Sequence, residues 1–273
     1  EDTGESKGKI DFAKGFDISY KTDRLQMKHV KNLAGLKFEG SAAIEGNTSG
    51  DSHAAIFGMS LNGRDFIFED YGLGNLITNL SYKSGTLYFN DIAGAIHRSQ
   101  YLGSLEVDLN DSQISGQFSI PTVDLKDIQY VFARHLELPF AISGVGSARA
   151  QINGPLNFWR LNYKLESFFR SVEIGSELFE ELQANVHAIN GNITTDKVLL
   201  KKSQSSLALD GTISQNQEMN LFADGKNWRI EESKAVSKIN SNLTGNLNFS
   251  AEFTQSVMQP HIHLKGAVTD TYF

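Results

Sequence analysis

Gly245-Asn-Leu-Asn-Phe-Ser-Ala-Glu-Phe253 runs into Thr254-Gln-Ser-Val-Met-Gln-Pro260 and then His261-Ile-His-Leu-Lys-Gly-Ala-Val268. In the first run Leu247, Phe249, Ala251 and Phe253 share one face, and Asn246, Asn248, Ser250 and Glu252 share the other. Strict alternation is the mark of a strand with one dry and one wet side. The return run sets Ile262, Leu264 and Val268 against His261, His263 and Lys265. Pro260 closes the linker, where its missing N–H costs no ladder bond. The stretch predicts a wide-looped antiparallel hairpin with one apolar side.

The same pattern occurs twice more. Gly40 precedes Ala42 and Ile44, and Gly146 precedes Ala148, Ala150 and Ile152, then Gly154-Pro155. Gly40 and Gly146 lie 106 positions apart, as do Gly85 and Gly191, and Gly245 follows Gly146 by 99. Leu76, Leu80 and Leu87 map by the first offset onto Leu182, Val186 and Ile193. These offsets predict a diverged repeat of roughly 100 residues, and so an array rather than a globule. Residues 1–34 read as a leader and first strand, 35–139 as repeat 1, 140–240 as repeat 2 and 241–273 as a truncated repeat 3, in one continuous unit.

The chain has 273 residues, 40% hydrophobic and 21% charged, a balance that folds. Its 24 glycines and 4 prolines favour many short strands joined by tight turns. The net charge is −7 with the signs interspersed and no basic run, which argues against nucleic acid. The absence of cysteine excludes a disulfide scaffold and a thiolate metal or redox site. No apolar run approaches a bilayer span of about 18 residues. Glu1 stands where a start methionine would, so the chain reads as a piece of a longer protein.

In order, Glu1 to Lys9 reads as a frayed leader and Ile10 to Tyr20 as a first strand. Ala54 to Leu61 and Arg64 to Glu69 read as a hairpin turned at Asn62-Gly63, a strong turn signal. Leu76 to Tyr82 and Thr86 to Ile92 flank Lys83-Ser84-Gly85, and Leu102 to Leu109 and Gln113 to Ile120 flank Asn110-Asp111-Ser112. From Val123 to Leu136 the period changes: Leu125, Ile128, Val131, Phe132 and Leu136 recur at helical spacing, with Asp124 placed as a cap. Strands follow at Leu156 to Phe169, Val172 to Leu178, Leu182 to Ile189, Asn192 to Leu200, Leu207 to Ile213 and Met219 to Ala223. Arg229 to Ile239 is a second, weaker helix.

No active site emerges. Gly4-Glu-Ser6-Lys-Gly8 matches a nucleophile elbow but has only three residues before it, not an apolar strand. His261 and His263 share a strand face but have no third ligand nearby, so they read as solvated wet-face residues. Gly144-Val-Gly146 and Gly72-Leu-Gly74 lack the third glycine of a dinucleotide loop. Asp124, Asp127 and Glu137 are not spaced as a catalytic pair. The sequon at Asn242-Leu-Thr244 has no meaning without a secretory context. The expectation is a non-enzyme without metal or cofactor.

The run from Gly245 to Phe253 with Thr254, Ser256 and Pro260, and the endings Leu209-Asp-Gly211-Thr-Ile213 and Ile114-Ser-Gly116-Gln-Phe118, resemble the recurring phrase of the TamB/AsmA-like superfamily. Gln255 departs from it, standing where that phrase has glycine. The resemblance covers about Gly35 to Phe273. It implies an all-β, elongated, curled antiparallel sheet, the β-taco, with an open hydrophobic groove and one or two short helices. It also implies a periplasmic segment in a Gram-negative envelope, whose longer parent is anchored in the inner membrane. The implied function is phospholipid transport between inner and outer membranes, with acyl chains as ligand and a TamA-like outer-membrane barrel as partner of the full-length parent. The dry-face residues expected to line the groove are Leu36, Phe38, Ile44, Leu105, Val107, Ile114, Phe118, Ile152, Leu207, Leu209, Leu247, Phe249, Phe253, Ile262 and Leu264. Glycines at 58, 116, 211 and 266 are placed where a sheet can bend. Two other readings compete: a structural or adhesive envelope β-protein with a closed core and no ligand, and a carbohydrate-active β-protein. The last would want exposed aromatics and a carboxylate pair, and Trp159 and Trp228 are the only tryptophans.

Overall fold

A computed structural model describes residues 3–11, 15–30, 36–51, 54–131, 141–157, 160–234 and 244–272. Sixteen strands occupy most of them: β1 Thr3–Asp11, β2 Gly15–Gln26, β3 Phe38–Gly50, β4 Ala55–Phe68, β5 Tyr71–Lys83, β6 Thr86–Ile96, β7 Ser99–Asp108 and β8 Gln113–Asp124. After helix α1 at Leu125–Val131 come β9 Ile142–Pro155, β10 Asn162–Ile174, β11 Glu177–Ile189, β12 Asn192–Lys202, β13 Ser205–Ile213, β14 Glu218–Arg229, β15 Thr244–Ser256 and β16 Gln259–Tyr272. They form one antiparallel sheet in which every strand lies beside its neighbours in sequence. The contacts divide into two compact units: Glu1–Val123 with Asp127–Glu137 and Gln151–Leu156, and Asp124–Lys126 with Leu138–Ala150 and Asn157–Phe273.

The decisive stretch is a hairpin, with Leu247 opposite Val268, Phe249 opposite Gly266, Ala251 opposite Leu264 and Phe253 opposite Ile262. Its connection is tighter than the sequence suggests. β15 runs to Ser256 and β16 starts at Gln259, leaving only Val257-Met258 as the turn. Pro260 lies inside β16 opposite Gln255, which an edge strand tolerates because one side of it needs no N–H.

Asn62-Gly63 is not a turn. β4 passes straight through it, with Asn62 between Ala43 and Ile77 and Gly63 between Ala42 and Leu76. A type I′ turn needs positive φ at both central residues, yet in β4 the positive value, +48°, belongs to Asp65, at a bulge just beyond. Gly63 is there for space, since a Cβ would stand 3.1 Å from the Phe66 ring. β4 turns instead at Glu69-Asp70, with φ of +47° and +72°, and the next hairpin turns at Ser84-Gly85, with φ of +53° and +87°. Three further segments differ. Residues 3–11 are β1, not a loose leader, and Ile10 to Tyr20 is divided between β1 and β2. The strand expected from Leu156 begins at Asn162, and that from Val172 to Leu178 is cut by a turn at Gly175 (φ +62°).

Helix α1 starts at Leu125, because Val123 and Asp124 still belong to β8. Asp124 caps it, its Oδ1 accepting from the Lys126 N–H at 3.0 Å. The second expected helix begins as strand, since β14 reaches Arg229, and continues as a 3-10 turn at Ile230–Glu232. Lys234 is helical, and residues 132–136 and 235–239 of the two segments lie outside the described residues, as do Asn242 and Leu243 of the sequon. The long connections follow β2, β8 and β14, six strands apart. Two of them end alike: Lys37, just before β3, accepts at its carbonyl from the Glu69 N–H beyond β4, and Ala141, just before β9, accepts from the Gly175 N–H beyond β10.

These assignments separate a strand position from a turn position. Asn62→Val, on the wet face of a strand, should change unfolding free energy by no more than about 0.5 kcal/mol. Gly85→Val should cost about 1–3 kcal/mol through its backbone alone, and Asn110 occupies the space a Cβ would take. Urea unfolding of both variants checks the pair; equal effects would contradict the assignment.

Candidate functional site: the apolar face

Every described strand except the polar β1 turns one apolar side the same way, but the two units treat that side differently. In unit 1 it is closed upon itself. Phe66 is 1% exposed, and Leu87 and Val107 are 0% exposed. Phe38 touches the rings of Phe66 and Phe68 at 5.9 and 5.4 Å between centroids, and Phe68 touches Phe89 at 6.0 Å. Such burial, with no second layer among the described residues, requires the sheet to fold its own dry side together. Six expected lining residues, Leu36, Phe38, Ile44, Leu105, Val107 and Ile114, lie in this packed core. Phe118 and Ile152 are half-buried.

In unit 2 burial falls along the strands. Around the β10–β11 turn and the end of β14, Phe169, Val172, Phe179, Trp228 and Ile230 are buried. Elsewhere the face stands half-exposed: Leu207, Leu209, Leu247, Phe249 and Phe253 from the expected set. Tyr163, Leu165, Ile193, Ile213, Met219 and Leu221, not singled out from sequence, are half-exposed there too. The same alternation that marked their neighbours marks them. On β16, Ile262 and Leu264 are 54% and 63% exposed. Phe249 is less free than its neighbours: it meets Trp228 edge-on at 6.0 Å, and its ring covers Gly225.

Polar anchors hold down the closed ends. In unit 1 the buried Asp127 carboxylate accepts from the Ser99 hydroxyl at 2.7 Å and from the N–H groups of Ser99 and Arg98 at 2.9 and 3.1 Å. His97 Nδ1 lies 3.2 Å away. Burial alone pushes the Asp127 pKa up, but these hydrogen bonds, led by that from Ser99, outweigh it and leave the carboxyl below its usual range. In unit 2 Lys202 Nζ sits 2.8 Å from Glu177 Oε2 and 5.7 Å above the Trp228 ring. The Ser233 hydroxyl donates to Glu177 Oε1 at 2.8 Å. Tyr163 is half-buried, and that burial raises its phenol pKa.

No chemistry converges on the face. Ser6 lies in regular β1, with Ser6 opposite Tyr20, so the elbow pattern forms no elbow. His261 and His263 are exposed, and no cluster of three metal-ligating side chains occurs among the described residues. The larger concavity of unit 1, about 1100 Å³, lies across β1–β6 and is lined largely by wet-face residues such as Ser19, Asn47, Ser60, Asn79 and Asn90. Amides and hydroxyls do not suit an acyl chain. A smaller hollow of about 330 Å³ in unit 2 includes Leu199, Ala208 and Phe222 among charged neighbours, again on the wet side. Among the described residues no helix is long and apolar enough to cross a membrane. No protein-family model matches the chain, and neither a curated protein nor a solved structure is significantly similar to it.

Asp127 gives the anchor a pH signature. A carboxyl whose pKa is lowered by folding stabilises above its unfolded value, and that stability is lost as the pH falls through its folded value. Asp127→Ala should cost about 1–3 kcal/mol at neutral pH, where three donors lose their acceptor, and the gap from the parent should close below about pH 4. Denaturation across that range measures both.

Proposed function

We propose that this chain is a non-catalytic segment of a TamB/AsmA-like envelope protein that carries phospholipid acyl chains on the dry face of its sheet. The observation that carries this reading is the half-exposed apolar side of β12 to β16, which alternates with a polar side and has no covering layer among the described residues of unit 2. Leaving it in water is costly, at about 25 cal/mol per Å² of apolar surface. Acyl chains laid along it remove that cost and are themselves relieved of about 0.8 kcal/mol per CH₂. A file of interchangeable aliphatic residues suits passage better than a tight pocket, because no position holds the ligand strongly. The matching hydrogen bonds at Lys37–Glu69 and Ala141–Gly175 support the reading of a repeated six-strand unit, which would extend such a face without new chemistry. In this reading the segment works in the periplasm, its parent is anchored in the inner membrane, and a TamA-like barrel is the outer-membrane partner.

A structural or adhesive β-protein is the second reading, and the packed core of unit 1 favours it. Native mass spectrometry with lipid analysis separates the two. Leu209→Asp is the informative variant, because Leu209 is half-exposed and faces Val198 and Ala223 without a large aromatic partner. Co-purifying phospholipid, lost in Leu209→Asp while circular dichroism stays unchanged, is the expected result. A lipid-free parent protein would favour the structural reading.

A further inference from the structure

The concavity of about 1100 Å³ on the wet side of unit 1 is a trench with a definite direction. One bank is the cross-strand row Ser19, Asn47, Gly58 and Ser81, and the other is Lys21, Glu45, Ser60, Asn79 and Asn90. Between them runs the row Tyr20, Gly46, Met59 and Leu80, which belongs to the dry side and leaves its backbone as the floor. The trench therefore runs across five strands, β2 to β6, over about 19 Å at the usual strand spacing. Each of these strands pairs on both sides, so the trench belongs to the face of the sheet and to neither of its edges.

It is polar without being charged. Lys21 and Glu45, its only charged side chains from β2 to β6 among the described residues, neutralise each other at 2.8 Å. Asn47 and Asn79 donate to Asp17 and Asp91 on the neighbouring strands, which orients each amide and leaves its oxygen as an acceptor. Ser60, Ser81 and Asn90 make no side-chain hydrogen bond among the described residues. Gly58 is an independent observation. It lies in mid-strand without a positive φ, in regular register with Asn47 and Ser81, and a Cβ there would have nothing within 4 Å. Glycine weakens a strand, so one that neither a turn nor packing requires points to something outside the fold that comes close to the backbone. Tyr88, opposite Ser81 and half-exposed, continues that bank with an aromatic surface.

We propose that this trench binds an uncharged, linear carbohydrate chain. Sugar hydroxyls donate and accept, as the amides and hydroxyls of the banks do, and the apolar side of a sugar ring suits Tyr88 and the bare backbone at Gly58. A sulfated or phosphorylated chain would meet no unpaired cation between β2 and β6, and an acyl chain would leave the banks without partners. Glu45 is held by Lys21, so no carboxylate pair flanks the trench, and the chain is bound rather than cleaved. The trench lies on the opposite side of the sheet from the apolar face, so it is independent of whether lipid is carried there.

The test titrates the whole chain calorimetrically with cellohexaose, chitohexaose and maltohexaose, with a heparin hexasaccharide as the anionic control. At least one neutral sugar should bind more tightly than about 1 mM, and the heparin fragment should not compete. Asn79→Ala and Tyr88→Ala should each weaken that binding about three- to tenfold. Gly58→Val should weaken it about tenfold or more. Urea unfolding should find the same variant at least as stable as the parent, because valine favours a strand and its side chain enters open space. No binding of any of the three sugars, equal binding of the heparin fragment, unchanged affinity in Gly58→Val, or a Gly58→Val protein less stable than the parent would each overturn the proposal.

Discussion

The apolar side of a single-layer sheet governs this molecule. Each strand can hide its dry residues only against the strands beside it or against the same sheet curving back. In unit 1 the curvature is built from aromatic rings laid over glycines on the adjoining strand. Tyr101 faces Gly94 and Phe118 faces Gly103 in register, and a Cβ on either glycine would meet the ring at 2.2 or 2.6 Å. Gly63 makes the same room for Phe66 within one strand. A ring over a glycine covers bare backbone and lets two strands approach closely where they must turn. The result is a dry interior with Leu87 and Val107 fully buried.

Unit 2 uses this device once in its later strands, at Gly225 and Phe249, beside Trp228. Beside that pair Phe179 is buried against Trp228, and elsewhere on the face Leu, Ile and Met side chains stand half-exposed. The closed end is also where the charged groups are buried. Lys202 and Glu177, 13% and 17% exposed at their side chains, would each be costly alone. Ser233 and the Trp228 ring complete their coordination and tie the segment after β14 to the turn before β11. Asp127 does the same for the β6–β7 turn with one carboxylate and backbone donors. Such pairs add little net stability but fix one docking position, because any slip leaves a charge unsatisfied.

Strand number and facing were legible because alternation is a local property. Leu247, Phe249, Ala251 and Phe253 declare their side without reference to anything else. Turn position was less so. Asn62-Gly63 carries a strong turn signal, yet its glycine answers to Phe66, and that requirement is visible only once β4 is drawn as a single strand. Pro260 was read as the end of a loop because a proline in a strand is forbidden only when both sides pair. Whether the dry face is covered was not legible at all. Leu105 and Leu209 stand in the same alternating context, yet one is buried and the other half-exposed. The difference lies in rings contributed by other strands.

Because every strand pairs only with its sequence neighbours, the sheet's stability approximates a sum over adjacent interfaces, as in other linear arrays. Each strand between two others is held on both sides. The same arithmetic decides how a ligand acts. An acyl chain on the half-exposed face adds apolar contact to several interfaces at once and is indifferent to register. The face therefore favours a ligand that slides.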